Sequence, residues 1–265
     1  MQTLCGVLGH PVGHSRSPAI HDAAYAELGL DWRYVKLPVP PELFEETVRG
    51  LPGSGYRGAN VTIPHKVAAL HVADEASAAA RAVGAANTLT FAGGRIAAEN
   101  TDAGGLLDAI GRPVGGLRAT VLGAGGAGRA AAWALREAGA GEVAVWNRTP
   151  ERAAALAAEL GVAHAERPRA GDLLVNATAV GLDAATADDE ALEQLGLTHV
   201  EPPGLVVDLV YRGTGTTPVE AWARRGAAAF VDGLEVLVRQ GARSFELWTG
   251  ESAPLDAMRA AAHAA

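Results

Sequence analysis

Short apolar runs separated by polar turns characterise the first hundred residues of this chain. The runs have the length of strands, and the alanine-rich segments between them have the spacing of helices. Strands are predicted at residues 3–8, 32–37, 58–64, 87–91 and 95–98. Helices are predicted at 19–28, 41–49, 75–82 and 100–110, with another beginning near residue 65. Gly93-Gly94 between the last two strands predicts a hairpin.

Strands and helices alternate from residue 118 onward, which is the pattern of a parallel sheet covered by helices. The predicted order is strand 118–123, helix 126–138, strand 142–147, helix 150–160, and strands 172–176 and 205–208. Residues 165–172 are too few for a crossover helix, so this connection is predicted to be irregular. Two last helices are predicted at 234–249 and from 254 onward. The chain is therefore predicted to be an α/β protein.

A glycine-rich turn follows the predicted strand 118–123. Gly123-x-Gly125-x-x-Gly128 lies between an apolar strand and an alanine-rich helix, the context in which dinucleotide-binding turns occur. The first glycine permits the tight turn, the second lets the backbone approach a pyrophosphate, and the third lets the helix pack on the strand. The alternative is a glycine turn without a ligand. The context favours a dinucleotide site in a Rossmann-type domain.

The end of the next strand distinguishes the two nicotinamide dinucleotides. NAD-binding units carry Asp or Glu there for the ribose 2′-hydroxyl, whereas NADP-binding units leave room and supply arginine. This chain has Asn147 at the strand end, followed by Arg148 and Arg152. A guanidinium matches the oxygens of a phosphate, and cations at a helix start are unfavourable without an anion. The sequence therefore favours NADP, with ordinary solvated arginines as the alternative.

Composition excludes several classes of function. The chain has 265 residues, 49% of them hydrophobic, and a net charge of −8, which argues against a broad nucleic-acid surface. Cys5 is the one cysteine, so no intrachain disulfide is possible. We see no apolar stretch long enough to span a bilayer and no signal peptide, and expect a cytoplasmic protein without membrane or nucleic-acid partners.

Four polar clusters in the first hundred residues are candidates for a substrate site. Ser15 and Ser17 would face the same side of an extended segment before a helix, and two hydroxyls there suit a carboxylate or phosphate. Helix capping explains Ser17 alone but not Ser15. The other three clusters are Asn60, Thr62 and Lys66; Asn87; and Asn100-Thr101-Asp102. Each of these has an ordinary alternative as a surface lysine, a turn residue or a helix cap.

Taken together, the clusters resemble the motifs of shikimate dehydrogenases in order and spacing. The matching phrases in the first half are Gly9-His10-Pro11-x-x-His14-Ser15-x-Ser17-Pro18, Asn60-Val61-Thr62-Ile63-Pro64-His65-Lys66, Gly84-Ala85-x-Asn87-Thr88 and Asn100-Thr101-Asp102-x-x-Gly105. Those in the second half are the glycine turn, Asn147-Arg148-Thr149-x-x-Arg152, Asn176-Ala177-Thr178-x-x-Gly181, Asp208-x-x-Tyr211, Gly233-Leu234 and Gln240-Gly241-Ala242. The resemblance covers essentially the whole chain.

The resemblance implies an enzyme that interconverts 3-dehydroshikimate and shikimate with NADP, in the pathway to chorismate and the aromatic amino acids. It implies that Lys66 and Asp102 are the catalytic pair and that Ser15 and Ser17 bind the substrate carboxylate. The further substrate-binding residues that it implies are Asn60, Thr62, Asn87, Tyr211 and Gln240. The cofactor-binding residues that it implies are Gly123, Ala124, Gly125, Gly126, Ala127, Gly128, Asn147, Arg148, Thr149, Arg152, Asn176, Thr178 and Gly233.

The chemistry of hydride transfer accounts for the catalytic pair. Hydride delivery to a ketone builds negative charge on oxygen, which a positioned donor must stabilise and protonate. Lys66 is assigned as the proton donor and Asp102 as its orienting partner, with a proton shared between them as the alternative.

The expected architecture is two α/β domains with a cleft between them. Residues 1–102 are predicted to form the substrate domain, residues 103–238 the Rossmann-type NADP domain, and residues 239–265 to pack back on the first. Alternatives are a quinate/shikimate dehydrogenase with relaxed substrate or NAD use, and a catalytically idle nucleotide-binding module. No metal is expected, because His10, His14, His21 and His65 fit no tight ligand pattern. The oligomeric state is left open between monomer and homodimer.

Overall fold

The computed structural model describes residues 2–169, 171–213 and 215–265, and these form two compact units. The first unit contains the residues up to Gly105 together with Leu237–Ala265, and the second contains Leu106–Val236. Both boundaries therefore fall inside helices, Thr101–Ile110 and Gly233–Thr249. The motifs of the sequence place the boundaries after residues 102 and 238. In the structure, residues 103–105 and 237–238 belong to the first unit and not to the second.

A close contact at Gly105 explains why the helix Thr101–Ile110 stays with the first unit as far as this residue. A Cβ added at Gly105 would lie 2.6 Å from the backbone nitrogen of Gln240. A Cβ at Gly104 would lie 2.5 Å from the Arg243 guanidinium carbon. The Gln240 contact is with backbone that cannot give way, so Gly105 is what permits the close approach of the two helices, whereas the flexible guanidinium of Arg243 could move away from a Cβ at residue 104.

The first unit is built on a mixed six-stranded sheet. Its strands are β1 (Thr3–Gly9), β2 (Trp32–Pro38), β3 (Tyr56–Val61), β4 (Glu75–Ala76), β5 (Thr88–Ala92) and β6 (Arg95–Glu99), in the order β2-β1-β3-β5-β6-β4. β1 pairs in parallel with both β2 and β3, whereas β5 is antiparallel to β3 and β6. Its first helices are α1 (Ser17–Glu27), α2 (Phe44–Gly50), α3 (Lys66–Val72) and α4 (Ala78–Val83). The helices α5 (Thr101–Ile110), α10 (Gly233–Thr249) and α11 (Leu255–Ala264) complete it, the first two only in part.

Two apolar clusters fill the first unit, one of them rich in aromatic side chains. Cys5 and Val7 of β1 pack with Tyr25 of α1, Phe245 of α10 and Met258 of α11. A Cβ at Gly58 would lie 2.1 Å from the indole nitrogen of Trp248, so β3 receives this ring only because residue 58 is glycine. The predicted return of the C-terminal residues to the first unit thus has a packing basis.

The second unit has a fully parallel six-stranded sheet, ordered β12-β11-β10-β7-β8-β9. The strands are β7 (Arg118–Leu122), β8 (Glu142–Trp146), β9 (Ala163–His164), β10 (Leu173–Asn176), β11 (Leu205–Asp208) and β12 (Ala229–Val231). The helices between them are α6 (Gly126–Glu137), α7 (Pro150–Leu160), α8 (Asp188–Gln194) and α9 (Pro218–Arg225). Its strands are nearly continuous apolar runs, as expected for parallel strands covered on both faces.

One predicted helix is wrong at its start. Residues 75–82 were expected to be helical, but Glu75–Ala76 is the short strand β4, which pairs with Ala97 and Ala98 of β6. The helix begins only after Ser77, whose hydroxyl oxygen accepts a 3.0 Å hydrogen bond from the Ala80 nitrogen. Strands β9 and β12 and helices α8 and α9 were not predicted. The described residues of 165–172 are irregular, as expected.

Candidate active site

The two serines lie side by side where the loop after β1 enters α1. The Ser15 hydroxyl is 3.2 Å from the Ser17 hydroxyl and accepts a 3.3 Å hydrogen bond from the Ser17 nitrogen. Both side chains are buried. The N-cap residue of α1 is Arg16, whose side chain makes no cap bond, and the first N–H of the helix, that of Ser17, is bonded by Ser15. Capping was expected to explain Ser17, but this local bond explains Ser15 instead and leaves the Ser17 hydroxyl as the better candidate for an anion.

Lys66 and Asp102 form an ion pair at the starts of two helices. Lys66 is the first residue of α3, and Asp102 lies in the first turn of α5. The Lys66 Nζ atom is 2.6 Å from Asp102 Oδ2, and the side chains are 14% and 19% exposed. The ammonium group is therefore held in place while still reachable by a small molecule. The chain has only one other lysine, Lys36.

Asn87 connects this ion pair to α10. Its Nδ2 atom lies 3.0 Å from Asp102 Oδ1, 2.9 Å from Thr101 Oγ1 and 3.1 Å from Gln240 Oε1. Its Oδ1 atom accepts a 2.7 Å hydrogen bond from the Thr101 nitrogen. Because Asn87 is 2% exposed, these bonds fix its amide and hence the carboxylate of Asp102. Asn87, Gln240, Asp102 and Lys66 thus form one connected polar group.

Asn60 and Thr62 lie at the end of β3, next to that group. Asn60 Nδ2 donates to Thr88 Oγ1 at 3.0 Å and to the carbonyl oxygen of Asn87 at 3.2 Å. Thr62 is half-buried, and its methyl carbon would be 2.5 Å from a Cβ at Gly9. No hydrogen bond of the Thr62 hydroxyl occurs among residues 2–169, 171–213 and 215–265. Asn60 therefore joins the polar group through Asn87, whereas the Thr62 hydroxyl makes no such bond among the described residues.

The glycine turn of the second unit has the form that a dinucleotide requires. Gly123 has φ = 107°, and a Cβ at Gly128 would lie 2.0 Å from the carbonyl oxygen of Gly123. A Cβ at Gly125 would meet nothing within 4 Å, so this side of the turn is open. Gly125 caps the twelve-residue helix α6 without a side-chain bond, which leaves the helix start free to receive an anion.

A polar strand end and two arginines follow β8. Asn147 Oδ1 lies 3.3 Å from the Ala124 nitrogen, so Asn147 supports the glycine turn. Arg148 and Arg152 are exposed near the start of α7, which Thr149 caps without a side-chain bond. Within the part of the chain that the structure describes, neither guanidinium has a hydrogen-bond or ion-pair partner. A cavity of about 330 Å³ is lined by Arg148 and Thr178, among others.

Asn176, Thr178 and Asp208 form a buried network at the ends of β10 and β11. Asn176 Nδ2 donates to Asp208 Oδ1 at 2.8 Å, and Thr178 Oγ1 donates to Asn176 Oδ1 at 2.8 Å. Thr217 Oγ1 donates to Asp208 Oδ2 at 2.6 Å. Burial raises the pKa of Asp208 to about 6, against the lowering effect of these hydrogen bonds. Asn176 is fully buried and organises the turn, so its contact with a cofactor stays a prediction.

The remaining predicted site residues, Tyr211 and Gly233, also belong to the second unit. Tyr211 is half-buried three residues after β11. A Cβ at Gly233 would lie 2.7 Å from the carbonyl oxygen of Val210, so glycine permits α10 to begin against this segment. All other predicted substrate residues lie in the first unit, and all predicted cofactor residues lie in the second.

A larger open cavity of about 1560 Å³ in the second unit contains none of the predicted site residues. It is lined by residues of both charges, including Arg167, Arg225, Glu190 and Glu201. Size alone therefore does not mark the active site in this unit.

Three family models match successive parts of the chain. The shikimate dehydrogenase substrate binding domain matches residues 7–89, the shikimate/quinate 5-dehydrogenase model matches 108–208, and the shikimate 5′-dehydrogenase C-terminal domain matches 233–263. A shikimate dehydrogenase (NADP(+)) of Methanothermobacter thermautotrophicus is 42% identical over 270 residues, which cover 96% of this chain and 94% of that protein. The chain belongs to the shikimate dehydrogenase family.

Further members of the family agree in length and fold. The shikimate dehydrogenase (NADP(+)) of one Thermus thermophilus strain is 46% identical, with 92% of this chain and 91% of the relative covered. The crystal structure of shikimate 5-dehydrogenase from another strain of Thermus thermophilus, in complex with NADP(H) and shikimate, has a TM-score of 0.87 at 42% identity. The match covers 100% of this chain and 99% of that one. The predicted family and the predicted fold class of a substrate domain and a Rossmann-type domain are confirmed.

The sequence candidates do not include every buried polar group near the site. Tyr34 and Ser244 both lie within hydrogen-bonding distance of Asn60 Oδ1, at 2.7 Å and 3.4 Å, and neither was a sequence candidate. The one signal for Tyr34 was its position in the alternating strand 32–37, where it faces inward between Arg33 and Val35.

Two absences complete the description of the site and the fold. Among residues 2–169, 171–213 and 215–265, no group of three or more His, Cys, Asp or Glu side chains could hold a metal ion. Among the helices of the same residues, none combines the length and the apolarity of a membrane span.

Proposed function

We propose that this chain interconverts shikimate and 3-dehydroshikimate, with NADP(H) as its redox partner. The observation that carries this proposal is the ion pair of Lys66 and Asp102, at 2.6 Å, within a polar group that also contains Asn87 and Gln240. Positioned proton donors of this kind are what reduction of a ketone to an alcohol requires. The relatives named shikimate dehydrogenase (NADP(+)) support the same substrate and cofactor.

Oxidation of a secondary alcohol removes a hydride from carbon and a proton from oxygen. When bound, NADP supplies the hydride acceptor, or in the reverse direction the donor. Lys66 as a neutral amine takes the hydroxyl proton in oxidation, and as an ammonium group it returns the proton to the alkoxide in reduction. Asp102 holds the Lys66 Nζ atom in place through its Oδ2 oxygen. A proton shared between the two groups is the alternative assignment.

The other polar residues of the first unit bind the substrate in this proposal. The paired hydroxyls of Ser15 and Ser17 donate to the carboxylate. Asn87 and Gln240 fix the ring hydroxyls near Lys66, because the Asn87 amide already contacts both Asp102 and Gln240. Asn60 and Thr62 of the first unit and Tyr211 of the second complete the set of substrate-binding residues.

The second unit fits NADP. The turn from Gly123 to Gly128 is open at Gly125, so the pyrophosphate can approach the start of α6. Arg148 and Arg152 supply two exposed cations for the 2′-phosphate beside Asn147 and Thr149. Asn176, Thr178 and Gly233 are proposed to border the nicotinamide end.

The test is the absorbance of reduced nicotinamide with shikimate or quinate and NADP or NAD, in all four pairings. A signal mainly with shikimate and NADP is expected. Comparable turnover with quinate or NAD would place the chain among the quinate/shikimate dehydrogenases with relaxed specificity. Protein that binds NADP but is silent in all four pairings would contradict the proposal and favour an idle module. The cytoplasmic location, the lack of nucleic-acid partners and the choice between monomer and homodimer stay predictions.

A further inference from the structure

Tyr34 links the aromatic core of the first unit to the polar site. It lies on β2 and is 2% exposed. Its ring is stacked on the ring of His21, with centroids 4.3 Å apart and planes 7° from parallel, and it also lies beside Trp248 at 6.3 Å. Packing on two sides holds the ring, so its hydroxyl has a fixed position.

The hydroxyl of Tyr34 contacts a residue of the proposed substrate site. It lies 2.7 Å from Asn60 Oδ1. Burial raises the pKa of Tyr34 well above its usual value. The phenol is therefore protonated and able to donate.

The directions of the hydrogen bonds at Asn60 follow from the carbonyl oxygen of Asn87, to which the Asn60 amide bonds. The carbonyl oxygen of Asn87 can only accept, so the atom of Asn60 that faces it must be Nδ2, at 3.2 Å. Asn60 Oδ1 then faces Tyr34, which must donate its one proton there.

We propose that Tyr34 is a positioning residue that fixes the Asn60 amide toward the Asn87 group. The proposal rests on the proposed function, in which Asn60 and Asn87 bind the substrate. One rigid phenol thus holds the Asn60 amide, whose Nδ2 atom bonds to the carbonyl oxygen of Asn87. A substrate gains affinity when the groups that bind it are already fixed in place.

The experiment compares Tyr34→Phe with Tyr25→Phe in the full chain. Tyr25 is a matched control, because it is buried in the same aromatic cluster and its hydroxyl bonds to no residue of the proposed site. Tyr34→Phe is expected to lower kcat/KM for shikimate about tenfold, the effect of one buried hydrogen bond, mainly through KM. The KM for NADP should stay within about twofold of the wild-type value in both variants. Tyr34→Phe kinetics equal to those of Tyr25→Phe would overturn the proposal.

A double variant tests the path of the effect. If Tyr34 acts through Asn60, the loss caused by Tyr34→Phe should shrink in an Asn60→Ala background, and full additivity of the two losses would overturn the proposal. Should Tyr34→Phe fail to fold, Asn60→Asp replaces it, because it keeps the acceptor for Tyr34 but removes the donor toward Asn87. A raised KM for shikimate is then expected, and an unchanged KM would overturn the proposal. Wild-type turnover of shikimate, measured beside the variants, tests the proposed function separately.

Discussion

The Arg16 guanidinium donates a 2.6 Å hydrogen bond to the carbonyl oxygen of Ala262, which is 246 residues further along the chain. Arg16 stands between the two serines, and Ala262 lies near the end of α11. A cation at the end of a helix also interacts favourably with the helix dipole. The loop that carries the serine pair is therefore held by the last helix of the chain.

Arg16→Met is expected to destabilise the protein and weaken substrate binding. Arg16 is 8% exposed, so the variant loses a charge-assisted hydrogen bond with little solvent to replace it, a cost of about 1.5–3 kcal/mol. Thermal unfolding should show a lower Tm, and KM for shikimate should rise as the serine loop loosens. Arg33→Met, at an exposed arginine of β2, is the control. Equal Tm values for the two variants would contradict the prediction.

Lys66→Met is expected to remove most of the turnover while leaving NADP binding intact. A positioned acid–base group contributes about 10²- to 10⁴-fold to such a reaction, and kcat should fall by that factor. NADP binding, followed by fluorescence titration, should not change, because all predicted cofactor residues belong to the other unit.

Lys36→Met distinguishes the loss of the catalytic amine from the loss of any lysine. Lys36 is exposed, and its amine donates to the carbonyl oxygen of Gly13. We expect this variant to retain most of the turnover. A folded Lys66→Met protein with kcat similar to that of Lys36→Met would remove Lys66 from the proton transfer.

Arg148→Ala and Arg152→Ala are each expected to raise KM for NADP. A charge-assisted bond to a phosphate contributes about 1.5–3 kcal/mol, which corresponds to about a 10- to 100-fold change. KM for NAD, which lacks the 2′-phosphate, should change little, so the preference for NADP should shrink. Arg167→Ala, at an exposed arginine elsewhere in the second unit, serves as the control. Equal losses with both dinucleotides would show that these arginines do not bind the 2′-phosphate.

Asp208 is expected to make the free energy of unfolding depend on pH between about pH 5 and about pH 8. Its pKa in the folded protein is about 6, above the usual 3.8, so folding favours its protonated form. The stabilisation is full below about pH 4 and is lost as the pH rises through 6. From about pH 5 to about pH 8 this group should lower the free energy of unfolding by about 1.4 kcal/mol.

Urea denaturation of the wild type and of Asp208→Asn at both pH values measures this contribution. The neutral amide can still accept from Asn176 through its oxygen, and the pH dependence should largely disappear in this variant. Asp172→Asn is the control, because Arg118 lowers the pKa of Asp172 and both folded and unfolded states are ionised in this range. The same slope in the Asp208→Asn protein as in the wild type would contradict the assignment.

The pattern of the sequence predicts most of the longer elements but not the short edge strands. β4 has two residues, and its pairing with β6 comes from tertiary contacts, so a helix-forming alanine run extended the predicted helix too far. β12 has three residues at the edge of its sheet. Such strands bury few side chains and leave little periodicity to detect.

Residues that are near each other in sequence were easier to identify than contacts across strands. The serine pair and the glycine turn are local features, and the sequence alone indicates an anion site and a dinucleotide site. The pairing of Lys66 with Asp102 joins two helix starts and came from the resemblance to a family. Tyr34 was missed because its hydrogen bond joins two strands that are not neighbours. Tyr34 lies on β2 and Asn60 on β3, and β1 lies between these strands in the sheet.

The scarcity of lysine makes the proposed catalytic group chemically addressable. Only two of the 22 basic residues, Lys36 and Lys66, carry a side-chain amine, and the other twenty are arginines that acylating reagents leave unmodified. Lys36 is exposed, so its acylation can serve as an internal standard for that of Lys66. The ratio of the two labelled peptides, read by mass spectrometry, would then report occupancy of the substrate site without any substitution in the chain.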